Sequence, residues 1–226
     1  RIRVLLEPVG AAMPVALLED LVAARAARRP VVYVVDLDGA ARRLDGPAPW
    51  AERVRSDRSG VEEDGRHFVH VHNPRLRMLI VGAVHIAQAL VPMAQIAGYD
   101  VSVIDPRPAF GAAARFAGVQ IIEAWPDEAL AGLGLDARSV VVTLTHDPKL
   151  DDPAIITALR SDVAYLGCLG STRTHAKRVA RLREAGFSEA DIARIHAPVG
   201  LDIGARGPGE IAVSVLAEIT QEMRRK

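Results

Sequence analysis

Met78-Leu79-Ile80-Val81-Gly82-Ala83-Val84-His85-Ile86-Ala87 is the stretch on which the fold turns. A short β-rich apolar run meets a glycine and passes at once into a helical pattern. Strand, glycine turn and helix in that order open a βαβ unit. From Met78 to Gly98 there are 21 residues without Asp, Glu, Lys or Arg, enough in length to cross a bilayer. The break at Gly82, the mid-run Pro92 and the polar His85, Gln88 and Gln95 favour a buried strand plus a core helix, so no membrane span is expected. Pro92 removes a helix hydrogen bond and predicts a kink or a late helix start.

The same alternation continues downstream. Strands are predicted at 77–82, 100–105, 119–123, 138–144 and 162–167. Helices are predicted near 85–97, 109–117, 127–132 and 152–160, then at 171–185, 188–195 and 208–224. Val140-Val141-Val142-Thr143-Leu144 is a nearly continuous apolar run, which suits a parallel sheet covered on both faces. Residues 76–226 therefore read as an α/β, Rossmann-like doubly wound parallel sheet. Residues 1–75 read as a small α+β N-terminal unit. It has a strand at Ile2–Leu6, a helix at Pro14–Arg28, strands at Val31–Asp36 and from Phe68, and a polar loop or ragged helix over 51–66.

Composition narrows the function. A length of 226 residues is about one and a half average domains and needs no staple to fold. Lys plus Arg and Asp plus Glu both number 28, so the formal net charge is zero. That argues against sequence-independent nucleic-acid binding, as does an aromatic content of 4%. The single cysteine, Cys168, excludes an internal disulfide framework and a multi-cysteine zinc site, and points to a reducing, cytoplasmic setting. No leader pattern opens the chain, whose first residue is Arg1. His67, His70 and His72 cluster in one predicted strand, but no carboxylate joins them at ligand spacing, so an exposed strand is expected rather than a metal site.

In a doubly wound sheet, ligands bind at the carboxyl ends of the strands. After the first strand come Gly82, Val84 and His85. A dinucleotide fingerprint has glycine where Val84 stands, because the backbone there approaches a pyrophosphate. Asp105 follows Gly82 by 23 residues and can accept from a ribose hydroxyl, and Arg107 can take a phosphate. At the fourth strand end, Thr145, His146 and Asp147 are polar groups facing the crevice, or local caps of the next helix. At the fifth, Gly167, Gly170, Ser171 and Arg173 lie before or in the first turn of a helix, where backbone N–H groups suit an anion. Ser171 also reads as an N-cap. Arg178 belongs to a basic run read as a solvated face, and a lone Cys168 is read as inert. A last glycine-rich loop carries Gly200, Asp202, Gly204 and Glu210, with Pro208 at the first helical position. These residues support a nucleotide-type site. An NAD(P)-dependent oxidoreductase is one alternative, although no hydride-transfer machinery is visible, and a scaffold that only contacts a partner is another.

The ordered set of Gly82-Ala83-Val84-His85, Asp105-Pro106-Arg107, Thr145-His146-Asp147, Gly167-x-x-Gly170-Ser171-x-Arg173 and Ala197-Pro198-Val199-Gly200-Leu201-Asp202-Ile203-Gly204-Ala205 resembles the XdhC/CoxI family, accessory factors of xanthine dehydrogenase and related molybdenum hydroxylases. The resemblance covers about residues 76–226, and residues 1–72 resemble the end of the family's N-terminal module. It implies a factor without turnover of its own. Such a factor binds the molybdenum cofactor, as molybdopterin or its dinucleotide, favours the sulfurated form and delivers it to the apo-enzyme. The apo molybdenum hydroxylase and a sulfurase are the implied partners. The family usually shows Gly-Ala-Gly-His at the first turn, where this chain has Val84. Exposed strand edges in the N-terminal unit suggest a homodimer.

Overall fold

The computed structural model describes residues 4–108 and 115–225. The chain divides into two compact units, Arg1–Pro74 and Arg75–Lys226.

The first unit is an antiparallel sheet with two helices. Helix α1 (Val15–Ala26) starts after Pro14 and buries Leu21 and Ala24. Strand β1 (Val31–Asp36) lies between β2 (Arg42–Asp45) and β4 (His67–His72), and β4 also pairs with the two-residue β3 (Gly60–Val61). Val32, Val34 and Val69 form the core of one sheet face, under Trp50 and Val54 of the helical segment 48–56. The strand expected at Ile2–Leu6 does not form over its described part. Residues 4–6 pair with no strand, and Leu6 is 84% exposed. An unpredicted strand, β2, takes the edge instead. Backbone pairing with Val32–Val35 holds it, although Leu44 is its only apolar residue. The histidines stand on β4 as expected. His70 and His72 lie with ring centroids 4.0 Å apart. No group of three or more metal-ligating side chains occurs among the described residues.

The second unit is a six-stranded parallel sheet. Its strands are β5 (Arg77–Val81), β6 (Asp100–Ile104), β7 (Gln120–Ile122), β8 (Ser139–Thr143), β9 (Tyr165–Cys168) and β10 (Ile195–His196), in the order β10-β9-β8-β5-β6-β7. The chain runs outward from β5 to β7, then returns to lay β8 on the other side of β5. The order thus reverses between β5 and β8, the place where such sheets bind ligands. All of β5 and β8 is buried, which explains the apolar runs Met78–Val81 and Val140–Val142 within them. Helices α3 (His85–Ile96) and α8 (Pro208–Arg225) cover one face, and α4 (Pro126–Leu133), α5 (Pro148–Leu159) and α6 (Thr172–Glu184) the other.

Several boundaries differ from the sequence reading, among them the start of β9 at Tyr165 rather than 162. Helix α5 begins at Pro148, not 152, because Asp147 caps it and proline suits its first position. The short helix α7 (Glu189–Ile192) stops early, and Ile195–His196 adds the sixth strand beside β9. Helix α3 starts at His85 despite Pro92, which sits on its exposed side, so the late start is not seen. Of the helix expected over 109–117, residues 109–114 lie outside the described residues, and 115–117 are not α-helical. No described helix is long and apolar enough to cross a membrane, and Met78–Gly98 is β5 followed by α3.

Candidate functional site

The crevice is assembled from the turns that follow β5, β6, β8 and β9. At the first turn Gly82 has φ +109° and is buried. A Cβ there would stand 2.6 Å from the Thr145 methyl, so this glycine is required twice over, by conformation and by space. Val84 is the N-cap of α3 and supplies no side-chain hydrogen bond to the helix. The first N–H groups of a helix have no intrahelical acceptor, so this terminus is left to solvent or a ligand. Val84 itself is half-buried against the core, and His85 is exposed.

Asp105, at the end of β6 and expected as a ribose acceptor, is engaged by donors of the chain itself. Its carboxylate is buried and accepts four hydrogen bonds. Oδ1 accepts from the Arg107 N–H at 3.0 Å and Nε at 2.8 Å. Oδ2 accepts from the Ala83 N–H at 2.9 Å and Arg107 Nη2 at 2.8 Å. A carboxylate offers about four lone-pair sites, and all are taken. Burial alone would raise its pKa, but the Arg107 guanidinium and the two backbone N–H groups outweigh that and hold the carboxyl below the usual range. Asp105 therefore fixes the glycine turn and orients Arg107. The Arg107 guanidinium is 37% exposed and also feels Asp147 and Asp151 across the sheet edge.

After β8, Thr145 Oγ1 donates to Asp151 Oδ1 at 2.6 Å and accepts from the Asp147 N–H at 3.2 Å. Asp147 caps α5 through the Lys149 N–H at 3.0 Å, so the capping reading of this residue holds. His146 between them is exposed and has φ +61°, a left-handed backbone uncommon outside glycine. After β9, Gly170 has φ +138° over the Thr174 side chain. Ser171 caps α6 through the Thr174 N–H at 3.2 Å, leaving Arg173 exposed in the first turn. Gly167 serves packing rather than a ligand, since a Cβ there would meet Val199 and Tyr165. Cys168 is fully buried, and burial pushes its thiol up to about 12, so it is no nucleophile.

The loop after β10 leaves the sheet at the same edge, with the Val199 N–H donating to the Cys168 carbonyl. Helix α8 holds the loop at both ends. Ser214 Oγ donates to the Leu201 carbonyl at 2.6 Å, and Glu218 Oε2 accepts from the Gly200 N–H at 2.7 Å and the Tyr165 hydroxyl at 2.5 Å. Glu210 folds back on the Arg206 and Gly207 N–H groups, so it secures the loop rather than facing a ligand. Asp202 and Gly204 form the exposed tip. Sequence reasoning missed Glu218 and Tyr165. They lie on other elements, 18 and 35 residues from Gly200, with no local signal pointing to the loop. A cavity of about 890 Å³ in the first unit is lined by Arg43, Arg53, Glu62 and Asp64, among others. Its charges pair locally, as in Arg53–Glu62 at 2.6 Å, and it offers no comparable set of turns.

The fold and the crevice define a doubly wound domain of the dinucleotide-binding type with an altered first turn. The XdhC Rossmann domain matches residues 78–219, and the chain belongs to that family. It is 36% identical over 172 residues to the Escherichia coli protein YqeB, covering 76% of this chain and 31% of that one. It is 34% identical over 146 residues to the E. coli molybdenum cofactor insertion chaperone PaoD, covering 65% and 40%. It is 35% identical over 162 residues to a Bacillus subtilis protein, a probable xanthine dehydrogenase subunit, covering 70% and 46%. The chain thus spans less than half the length of these relatives. A crystal structure of a xanthine dehydrogenase from Bacillus halodurans superposes with a TM-score of 0.69 at 25% identity, covering 92% of this chain and 64% of that one.

Proposed function

We propose that this chain binds the molybdenum cofactor in the crevice between β5 and β8 and hands it to a xanthine dehydrogenase-type molybdenum enzyme. The observation that carries the reading is the first turn. Gly82 brings backbone close, and α3 begins without a side-chain cap, so its N–H groups suit the phosphate of a pterin. Arg107, held by Asp105, and Arg173 add positive charge at the same edge. The name of the relative PaoD supports the cargo, and that of the B. subtilis relative the enzyme served.

In this reading Val84, His85, Thr145, His146 and Gly170 line the pocket, and the loop tip with Asp202 and Gly204 closes over it. The cargo is the sulfurated form, with a sulfurase as second partner. A homodimer would form through the open edge of β2 and would scatter light as two chains. The nicotinamide alternative is weakened by the geometry, because Val84 narrows the pyrophosphate position and Asp105 has no acceptor left for a ribose.

The test is to purify the protein from a host that makes molybdenum cofactor, denature it, oxidise what is released, and identify it by fluorescence and mass. Pterin at near-stoichiometric yield is expected. Nicotinamide nucleotide in its place would overturn the reading.

A further inference from the structure

Two buried charges lie beneath the crevice. Arg178 is on α6, and Asp151 is in the first turn of α5. Their side chains are each 2% exposed, and Arg178 Nη2 stands 3.8 Å from Asp151 Oδ2. The same Nη2 donates to the Leu169 carbonyl at 3.1 Å, in the turn after β9. Asp151 Oδ1 accepts from Thr145 Oγ1 at 2.6 Å, in the turn after β8, and the Thr145 methyl fills the space that Gly82 leaves. One charge pair therefore touches two of the turns that border the crevice and, through Thr145, reaches a third.

The pair is a poor device for stability alone. Arg178 Nε and Nη1 are buried without partners. Burial pushes the Asp151 carboxyl up against its hydrogen bond from Thr145 and the Arg178 charge. Apolar side chains of similar volume commonly fill such a place without loss of stability. What they would not supply is a grip on the Leu169 carbonyl and the Thr145 hydroxyl. Directly after the gripped Thr145 comes His146 with φ +61°, a conformation that persists only where its surroundings enforce it.

We propose that Asp151 and Arg178 are positioning residues, a buried pair that fixes the turns 145–147 and 169–171 relative to each other and holds His146 in its left-handed conformation. This rests on the crevice being the ligand site.

The test compares the wild-type chain with the double variant Asp151→Leu/Arg178→Met, which removes both charges. Should the double variant fail to fold, Arg178→Met alone serves, because Asp151 can then take up a proton. The first readout is amide hydrogen exchange on the ligand-free protein. At least tenfold faster exchange is expected at 145–147 and 169–171, with the core strands β5 and β8 unchanged. The second is the release rate of molybdenum cofactor freshly freed from a purified molybdenum hydroxylase, expected to rise at least tenfold. A folded variant with unchanged exchange in those turns, or with the wild-type release rate, overturns the proposal. If the wild-type chain holds no pterin, the functional reading falls separately, and the exchange comparison alone decides the role of the pair.

Discussion

Asp105 and Arg107 close a two-residue turn with a forked ion pair, Nε to Oδ1 and Nη2 to Oδ2, both at 2.8 Å. The remaining acceptor positions of the carboxylate go to the Arg107 and Ala83 N–H groups, which ties the end of β6 to the glycine turn after β5. Asp105→Asn keeps the shape but replaces one acceptor oxygen with a donor that faces other donors. Breaking a buried pair costs about 3–5 kcal/mol, and the partial exposure of Arg107 discounts this to roughly 2–3 kcal/mol. Urea unfolding at pH 7 checks the value. The Asp105 carboxyl lies below its ordinary value near 3.8, so its contribution is present above that pH and is lost as pH falls through the lower folded value. The gap between wild type and variant should therefore narrow below about pH 4.

Val84 stands where a fingerprint glycine would bring backbone to a pyrophosphate. Val84→Gly should therefore favour the dinucleotide form of the cofactor over molybdopterin itself, by about tenfold in Kd for 1.4 kcal/mol of relieved crowding. Glycine is preferred over valine at an N-cap, so the change carries no capping cost to the helix. Competition binding between molybdopterin and its dinucleotide measures the shift. NAD should gain far less, because Asp105 still has no acceptor for its ribose. Equal gains for NAD and the pterin dinucleotide would show that Asp105 does not select.

Gly82→Ala tests the opposite change at the same turn. The new methyl would collide with Thr145 Cγ2 and would force a side chain onto a backbone with φ +109°. Strain at a special backbone position and overpacking each cost about 1–3 kcal/mol. The expected outcome is a midpoint shift in urea worth roughly 2–4 kcal/mol, with pterin retention reduced even where the protein remains folded. Gly98→Ala is the control, since a Cβ there meets open space outside the crevice, although its φ of +92° still carries a smaller strain.

The large periodic elements were legible because burial leaves a pattern. Strands β5 and β8 are covered on both faces, so Met78–Val81 and Val140–Val142 within them are apolar runs. Gly82 was legible as a turn because a strand period switches to a helix period there. Strands β2 and β10 were not, because β10 is two residues long, too short to show a period, and Arg42-Arg43-Leu44-Asp45 has no strand pattern. In the site, Asp147 and Ser171 could be read as caps. Arg178 could not be read as buried, because a basic helix looks the same in sequence whether its arginine faces solvent or the Leu169 carbonyl. Asp105 was placed correctly at the strand end, but one of its partners, the Ala83 N–H, lies in a different turn, which no spacing rule reveals.

Cys168 gives a check on the crevice floor that needs no ligand. Its side chain is fully buried at the end of β9, and burial pushes the thiol up to about 12. A thiolate is the reactive form, so the native protein should hardly react with iodoacetamide at pH 8 and should react fully once denatured. Fast native labelling would mean that the β9 end opens readily.

Glu218 links the start of the loop, at Gly200, to helix α8 and sets a pH dependence of its own. Hydrogen bonds from Tyr165 and the Gly200 N–H and the neighbouring His196 ring offset its burial, and together they hold the carboxyl below its ordinary value near 4.5. A carboxyl lowered on folding adds stability above its unfolded value and loses it as pH falls through the folded one. Glu218→Gln keeps one acceptor and loses the charge, so it should destabilise by about 1.5–3 kcal/mol at pH 7. Between pH 7 and about 3.5 its stability should fall less steeply than that of the wild type. Tyr165→Phe removes one hydrogen bond and should cost about 1 kcal/mol. Its pH dependence should stay closer to wild type, because Gly200 and His196 still face the carboxylate. Both variants should speed amide exchange at Gly200 and Leu201, and Glu218→Gln more so. If Glu218→Gln leaves both the loop and the acid limb of the stability curve unchanged, the loop is held by Ser214 alone.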